Sequence, residues 1–196
     1  MMSSPTSRIE LVPLGHEHFA DIIALADREI GANYYTEETL NEQADRSSFC
    51  GQQLSFLAFD GPTLVGFRLT SAPGKWTHGR GKGLSPEKWP FAIEEAAYFQ
   101  SCFVSHGAMG KGIGQQLSRE SLRHLALLGV PLVVAHSWKE SPHNSSFRYL
   151  SKLGFVPVSE YPEYWVDVDY TCSLDGNPCR CTAIEMILTL DAQAPS

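Results

Sequence analysis

The chain lacks the segments that mark membrane-spanning and secreted proteins. No apolar run approaches the ~20 residues that cross a bilayer, and no apolar segment follows Arg8, the first basic residue, as a secretory signal would require. Positive charge is not in excess either, since the net charge is −7, which opposes attraction to nucleic acid and to anionic lipid. We therefore expect a cytoplasmic protein that binds neither nucleic acid nor a membrane and whose acidity suits a cationic substrate.

Cysteine is scarce, and its number is odd. The chain has five cysteines, and without a secretory signal we interpret them as reduced thiols or metal ligands. Three of them surround a Gly-Asn-Pro turn: Cys172, Cys179 and Cys181. They predict a zinc site with Asp175 or a histidine as fourth ligand. The alternative is a metal-free hairpin in which cysteine fills a small core position. Cys50 and Cys102 are predicted to be buried thiols.

Composition favours one globular domain over residues 1–196. The chain is 43% hydrophobic, which is ordinary for a domain with one sizeable core. Apolar periodicity predicts strands at 8–13, 54–59, 64–70, 96–104, 131–135, 156–165 and 183–190, with Cys181 beginning the last of them. It predicts helices at 16–30, after a Thr36 cap, after the glycines near 112, and from a Ser141-Pro142 cap. This order indicates an α/β fold with a mixed central sheet flanked by helices.

Two long connections interrupt this pattern. The first, 73–90, is polar, glycine-rich and basic, so we predict an inserted loop that acts as a mobile lid, with Trp76 and Trp89 as anchors at its ends. The second, 166–182, is a hairpin loop that contains the three cysteines.

Glycines are concentrated after the strand at 96–104. Gly107, Gly110, Gly112 and Gly114 allow tight turns and let backbone N–H groups converge on an anion. The helix that follows would add its positive N-terminal end. The spacing fits neither a P-loop nor the dinucleotide fingerprint. The turn therefore predicts a phosphate site of another kind, and the alternative is a sharp connection without a ligand.

Two blocks resemble one known family. Met109-Gly-Lys-Gly-Ile-Gly114 is similar to the pyrophosphate loop Gln/Arg-x-x-Gly-x-Gly/Ala of the GNAT N-acetyltransferases, with Met109 in place of Gln or Arg. The block from Ser141 to Phe155 resembles the Asn-containing helix of that family, which ends in Leu-Gly-Phe. The resemblance is clearest over residues 97–155.

This resemblance implies acetyl-CoA as the cosubstrate. In the family geometry, backbone N–H groups of the loop hold the pyrophosphate, and these would belong to Met109, Gly110, Lys111, Gly112, Ile113 and Gly114. Main-chain atoms of Cys102, Phe103 and Val104 would pair with the pantetheine arm, and Asn144 would complete the cofactor set. Lys111 can partly replace the phosphate contact that Met109 does not make.

The leaving thiolate needs a proton donor. Many members of the family use a Tyr four residues before the Gly of Leu-Gly-Phe, but that position is Leu150 here and Tyr149 is one residue away. One step on a helix is a rotation of about 100°. The candidates are Tyr149 on a locally shifted helix, Tyr161 or Tyr164, and departure of the thiolate unaided.

A base is needed to remove a proton from the amine. Glu94 and Glu95 at the start of the strand at 96–104 are the predicted carboxylates, with His136 and His143 as rivals. The predicted function is transfer of an acetyl group from acetyl-CoA directly to a primary amine of a small molecule, a peptide N-terminus or a lysine. A homodimer is one option for the assembly. The alternative function is a non-catalytic acyl-CoA sensor, which Leu150 and Met109 favour.

Overall fold

The computed structural model describes residues 9–29, 34–76, 83–167, 172 and 174–191. The strands are β1 (Ile9–Pro13), β2 (Ser48–Phe49), β3 (Gln52–Gln53), β4 (Phe56–Asp60), β5 (Thr63–Ser71), β6 (Ala96–Val104), β7 (Leu132–Trp138), β8 (Val156–Tyr161) and β9 (Ala183–Thr189). The helices are α1 (Phe19–Glu29), α2 (Glu37–Ser47), α3 (Ile113–Leu127) and α4 (Ser145–Lys152). Within this part of the chain, no helix has the length and apolar character needed to span a bilayer.

Seven of the strands form one mixed sheet in the order β1-β4-β5-β6-β7-β9-β8. β6 and β7 are parallel, whereas β1 with β4, β4 with β5, β7 with β9 and β8 with β9 are antiparallel. The predicted α/β class with a mixed sheet is thereby confirmed. β2 and β3 form a small separate hairpin that the sequence did not indicate.

The chain divides into two compact units, and β6 contributes to both. The first contains the described residues up to Ala72 together with Gln100–Leu125, and the second contains Pro73–Phe99 and the described residues from Ala126 onward. The single domain over 1–196 stays a prediction.

In the first unit, local sequence signals place the helices as expected. α2 begins after Thr36, whose Oγ1 accepts from the Thr39 N–H at 3.2 Å while its own N–H donates to Thr39 Oγ1 at 3.0 Å, a reciprocal cap. The apolar face of α1 is buried through Phe19, Ile22, Leu25 and Ala26.

Polar contacts position α3 in the first unit. The buried Arg68 donates from Nε to Ser118 Oγ at 3.0 Å, and Ser121 Oγ donates to the Leu54 carbonyl at 2.8 Å. The apolar face of this helix is buried through Ile113, Leu117 and Leu125. Because both serines bond to buried partners, these contacts fix the rotation of α3 about its axis and its position along that axis.

In the second unit, the described parts of the inserted loop, residues 73–76 and 83–90, pack on one face of the sheet. Trp76 and Trp89 are 4% and 8% exposed and pack with Tyr98, Val134 and Ile187. The Trp76 indole N–H donates to the Ala96 carbonyl at 2.7 Å. Both ends of the loop are thus anchored, and residues 83–90 pack on the sheet. Residues 77–82 of the predicted lid lie outside the described part of the chain.

Several boundaries in the second unit differ from the prediction. α4 begins at Ser145 and not at Ser141, because His143 and Asn144 adopt φ of 55° and 54°. Pro142–Asn144 therefore forms a separate 3₁₀ turn. β8 ends at Tyr161 and not at Trp165. The last strand begins at Ala183, as its apolar run predicted, so Cys181 precedes it and does not begin it.

Candidate active site

A glycine turn connects the end of β6 to α3 in the first unit. His106–Ala108 forms a 3₁₀ turn, after which Gly110 and Gly112 adopt φ of 79° and 75°. The Gln116 N–H donates to the Gly112 carbonyl at 3.0 Å, which is the first hydrogen bond of α3. The first N–H groups of an α-helix have no acceptor in the preceding turn of that helix, and helix N-termini of this kind bind anions.

Conformation, and not lack of space, explains why Gly110 and Gly112 are glycines. A Cβ added at Gly107, Gly110 or Gly112 would meet no atom within 4 Å, and Met109 is 54% exposed. A positive φ strains other residues, so the two central positions favour glycine. The backbone is thereby presented on an open surface, which suits a ligand as large as a pyrophosphate.

Contacts on both sides hold the start of the turn. The Ser105 N–H donates to the Val65 carbonyl at 2.9 Å. A Cβ at Gly66 would lie 2.8 Å from the Phe103 carbonyl, so this close approach of β5 and β6 needs a glycine. Sequence reasoning missed Gly66, for which an isolated glycine within a strand pattern was the available signal.

Glu29 anchors the same turn from the end of α1. Its Oε2 accepts from the His106 N–H at 2.8 Å and lies 2.9 Å from His106 Nδ1. The hydrogen bond from the His106 backbone, supported by the His106 and Arg28 side chains, holds the pKa of Glu29 below its ordinary value although burial opposes this. The ionised carboxylate thus connects the end of α1 to His106, the first residue of the 3₁₀ turn.

The residues predicted to pair with the pantetheine arm are the last three of β6. Cys102, Phe103 and Val104 are half-buried, and Cys102 Sγ lies 4.0 Å from the Gly114 carbonyl oxygen. The Phe103 ring packs on Phe67 with 5.8 Å between centroids. Their role toward a cofactor stays a prediction, as does that of Met109, Gly110, Lys111, Gly112, Ile113 and Gly114.

A second polar cluster lies in the second unit, around His136. The Tyr98 hydroxyl is 2.9 Å from His136 Nδ1, and His136 Nε2 is 2.7 Å from the Gly83 carbonyl oxygen. A carbonyl only accepts, so in the neutral ring Nε2 carries the hydrogen and Nδ1 accepts from the Tyr98 hydroxyl. The Tyr164 ring stacks on His136 at 4.5 Å with a 28° interplanar angle. This arrangement can move a proton from Tyr98 to His136.

Glu185 lies directly opposite His136 in the β7–β9 register. It is fully buried, and its carboxylate accepts from the Trp89 indole N–H at 2.5 Å and from the Tyr161 hydroxyl at 3.0 Å. Burial raises the pKa of Glu185, although the hydrogen bonds from Trp89 and Tyr161 act in the opposite direction. The Tyr161 hydroxyl also bonds to Ser85, so residues of the inserted loop complete this cluster.

The two predicted acidic candidates lie in a different environment. Glu94 and Glu95 are exposed in a 3₁₀ turn, Ile93–Glu95, that precedes β6. Glu95 Oε2 accepts from the Ala92 N–H at 3.0 Å, which is a capping contact. They stay predictions. Sequence reasoning missed Glu185, although a single carboxylate within the apolar run of the last strand was a usable signal.

Tyr149 and Leu150 lie on different faces of α4. Leu150 is 5% exposed, and Tyr149 is half-buried on the adjacent face of α4, as a rotation of about 100° requires. Asn144 is exposed and lines an open groove with Lys139 and Ser159. The roles of Tyr149 and Asn144 stay predictions.

No protein-family model matches the chain. A segment of 101 residues, 52% of the chain, is 32% identical to mycothiol acetyltransferase of Streptomyces scabiei and spans 26% of that protein. The match thus covers about a quarter of that relative.

Solved acetyltransferases share the fold over nearly the whole chain. Arabidopsis thaliana NAA60 in complex with a bisubstrate analogue has a TM-score of 0.70 at 15% identity, over 95% of this chain and 100% of that one. A GNAT-family acetyltransferase of Streptococcus pneumoniae has a TM-score of 0.65 at 14% identity, over 94% and 100%. The yncA protein of Salmonella typhimurium, with its cofactor acetyl-CoA, gives 0.63 at 17% identity, over 97% and 98%. The chain has the GNAT fold, which confirms the resemblance seen over 97–155.

Proposed function

We propose that the protein is a GNAT-type N-acetyltransferase that transfers the acetyl group of acetyl-CoA directly to a primary amine. One observation carries the proposal: the strand β6 runs into a turn with two glycines at positive φ that opens α3. Such a turn presents N–H groups to a pyrophosphate. The shared fold, the mycothiol acetyltransferase segment and the acetyl-CoA of the Salmonella protein support the same reading.

The cofactor would bind along the first unit. Backbone N–H groups from Met109 to Gly114 would hold the pyrophosphate, with the Lys111 ammonium adding charge from an exposed position. The end of β6, from Cys102 to Val104, would pair with the pantetheine arm through its main chain. Met109 supplies no charge, so backbone donors would carry most of the affinity.

The amine must be neutral before it attacks the thioester carbonyl. Tyr98 and His136 offer a route: the Tyr98 oxygen accepts a proton from the amine while the Tyr98 hydroxyl proton moves to His136 Nδ1. His136 is then protonated on both ring nitrogens, Tyr98 is again a neutral phenol that carries the proton from the amine, and the neutral amine nitrogen can form the new C–N bond. Tyr149 stays the proposed donor to the departing CoA sulfur, with Tyr161 and Tyr164 as alternatives. Glu94 and Glu95 stay the alternative bases.

A non-catalytic acyl-CoA sensor is the second candidate function. The observation that favours it is the buried Leu150 at the position where many family members have a proton-donating tyrosine. A sensor would bind acetyl-CoA tightly and release no CoA thiol with any amine.

The deciding experiment measures binding and turnover together. Calorimetry with CoA and a thiol-release assay with acetyl-CoA and a broad amine panel are run on the wild type and on Gly112→Asp. The introduced carboxylate repels the phosphates and strains the positive φ, so CoA binding should be lost.

Gly61→Asp is the matched control, because Gly61 has a φ of 58° with open space around it in the β4–β5 hairpin. It should bind CoA normally. If folded Gly112→Asp binds CoA as the wild type does, the glycine turn is not the cofactor site. If the wild type binds CoA without turnover on any amine, the sensor is correct.

A further inference from the structure

Three cysteines and one aspartate converge in the second unit, between β8 and β9. Cys172, Cys179 and Cys181 are 5%, 0% and 2% exposed, and Trp138 and Trp165 pack against them. Asp175 is exposed beside them. One ligand atom from each of the four residues lies within 4.8 Å of every other. Four metal-binding groups are thus brought to one point by a loop of ten residues.

The distances match those around a tetrahedral metal ion. Cys172 Sγ and Cys181 Sγ are 3.7 Å apart, far more than the ~2.05 Å of a disulfide bond. With a zinc–sulfur distance of ~2.3 Å, a tetrahedral angle separates two sulfur ligands by ~3.8 Å. Cys181 Sγ lies 3.3 Å from Asp175 Oδ2, and a zinc–oxygen distance of ~2.0 Å would place them ~3.5 Å apart. Small side-chain shifts suffice to admit the ion.

The backbone around the cluster already orients its ligands. The Leu174 N–H points to Cys172 Sγ at 3.4 Å, and the Arg180 N–H donates to Asp175 Oδ2 at 3.2 Å. The turn is closed by paired backbone hydrogen bonds between Cys172 and Gly176, at 2.8 and 2.9 Å. In metal sites, hydrogen bonds of this kind from beyond the metal ligands fix the orientation of those ligands.

We propose that Cys172, Asp175, Cys179 and Cys181 bind one structural Zn²⁺. Thiolate ligands select zinc over magnesium and calcium, and four protein ligands leave no open position for a substrate, as in structural sites. On binding, each of the three thiols forms a bond to zinc and releases its proton to solvent, while the carboxylate binds as it is. The exposed side of Asp175 gives the ion a path from solvent.

Zinc bound to this cluster would also fix the position of Tyr164, which stacks on His136. The Tyr164 N–H donates to the Cys181 carbonyl at 3.1 Å, and the Tyr164 ring contacts Trp165 edge-on at 5.0 Å. Zinc would therefore keep Tyr164 stacked on the imidazole. The importance of this stacking for catalysis rests on the proposed function, whereas the proposed zinc binding does not.

Metal content tests the site without any enzyme assay. Protein purified without chelators or metal-affinity steps should contain about one zinc per chain by mass spectrometry. Removing the ion and adding Co²⁺ should produce the visible absorption of tetrahedral cobalt with thiolate ligands. Adding Zn²⁺ to the apoprotein should release protons and raise the melting temperature, because the metal binds the folded chain better than the unfolded one.

Cys179→Ser is the test variant, and Cys50→Ser is the control. Cys50 is exposed, so its predicted burial was wrong, and it is distant in sequence from the cluster. The first should lose zinc and melt earlier, and the second should change neither. If Cys179→Ser does not fold, Asp175→Asn replaces it and should weaken Co²⁺ binding at least tenfold.

The proposal is overturned by reduced wild-type protein that stays metal-free after incubation with excess Zn²⁺. A Cys172–Cys181 disulfide in freshly prepared protein would overturn it as well. Acetyl transfer by such metal-free protein would leave the proposed function standing.

Discussion

Replacing Tyr98 with phenylalanine removes one hydroxyl and leaves the ring in place. The ring is 3% exposed and stacks on Trp76 with 4.8 Å between centroids, contacts that phenylalanine retains. The lost group is the hydroxyl at 2.9 Å from His136 Nδ1. One such hydrogen bond contributes about 0.5–1.5 kcal/mol to the free energy of unfolding. For a chain of this size the melting temperature should fall by about 1–6 °C.

The effect on turnover should be far larger than the effect on stability. If the Tyr98 hydroxyl relays the amine proton to His136, its removal should lower kcat about 10²- to 10⁴-fold. The affinity for CoA should not change, because the glycine turn is untouched. Thiol release with saturating acetyl-CoA measures kcat, and calorimetry measures the affinity.

Thr70→Val is the matched control for this variant. It also removes one buried hydroxyl, which lies 2.9 Å from Ser121 Oγ in the first unit, and it should cost similar stability while leaving kcat near normal. A folded Tyr98→Phe protein with the kcat of the control would refute the relay. Glu94 or Glu95 would then become the better candidate base.

Three further perturbations test other parts of the site. Tyr149→Phe should lower kcat about 10²- to 10⁴-fold without changing CoA affinity if Tyr149 protonates the leaving thiolate; normal kcat would transfer that role to another group. Glu29→Gln should remove a stabilising contribution that is fully present above the ordinary pKa of 4.5 and is lost as pH falls through the lower pKa of the folded state. Melting curves of the two proteins should therefore differ near neutral pH and converge as pH falls below about 4.5; a constant difference would show that Glu29 acts through packing alone. Trp76→Ala should reduce the free energy of unfolding by about 3–5 kcal/mol, as measured by denaturant titration, because the indole is buried and hydrogen-bonded to Ala96; a small loss would mean that the inserted loop is a loosely held cover.

Several features could be predicted because they depend on residues close together in the chain. β6 occupies Ala96–Val104, the range that the apolar run indicated, and Thr36 caps α2 as its side chain favours. The glycine turn was identifiable because positive φ is a local requirement, and Gly110 and Gly112 adopt it. The same reasoning failed at α4, where Ser141-Pro142 begins a 3₁₀ turn and the αL conformations of two following residues delay the helix to Ser145.

The sequence by itself therefore determined the order of the four helices and of the seven strands of the mixed sheet, the α/β class, the glycine turn and the grouping of three cysteines. Each of these depends on composition or on short-range spacing. Only the tertiary structure decided that His136 lies opposite Glu185, that Tyr98 reaches the imidazole, and that Gly83 of the inserted loop accepts from its other nitrogen. These contacts depend on strand register between segments separated by tens of residues. Register is set by long-range pairing and burial, and a slip of one residue would turn each of these side chains to the opposite face of the sheet.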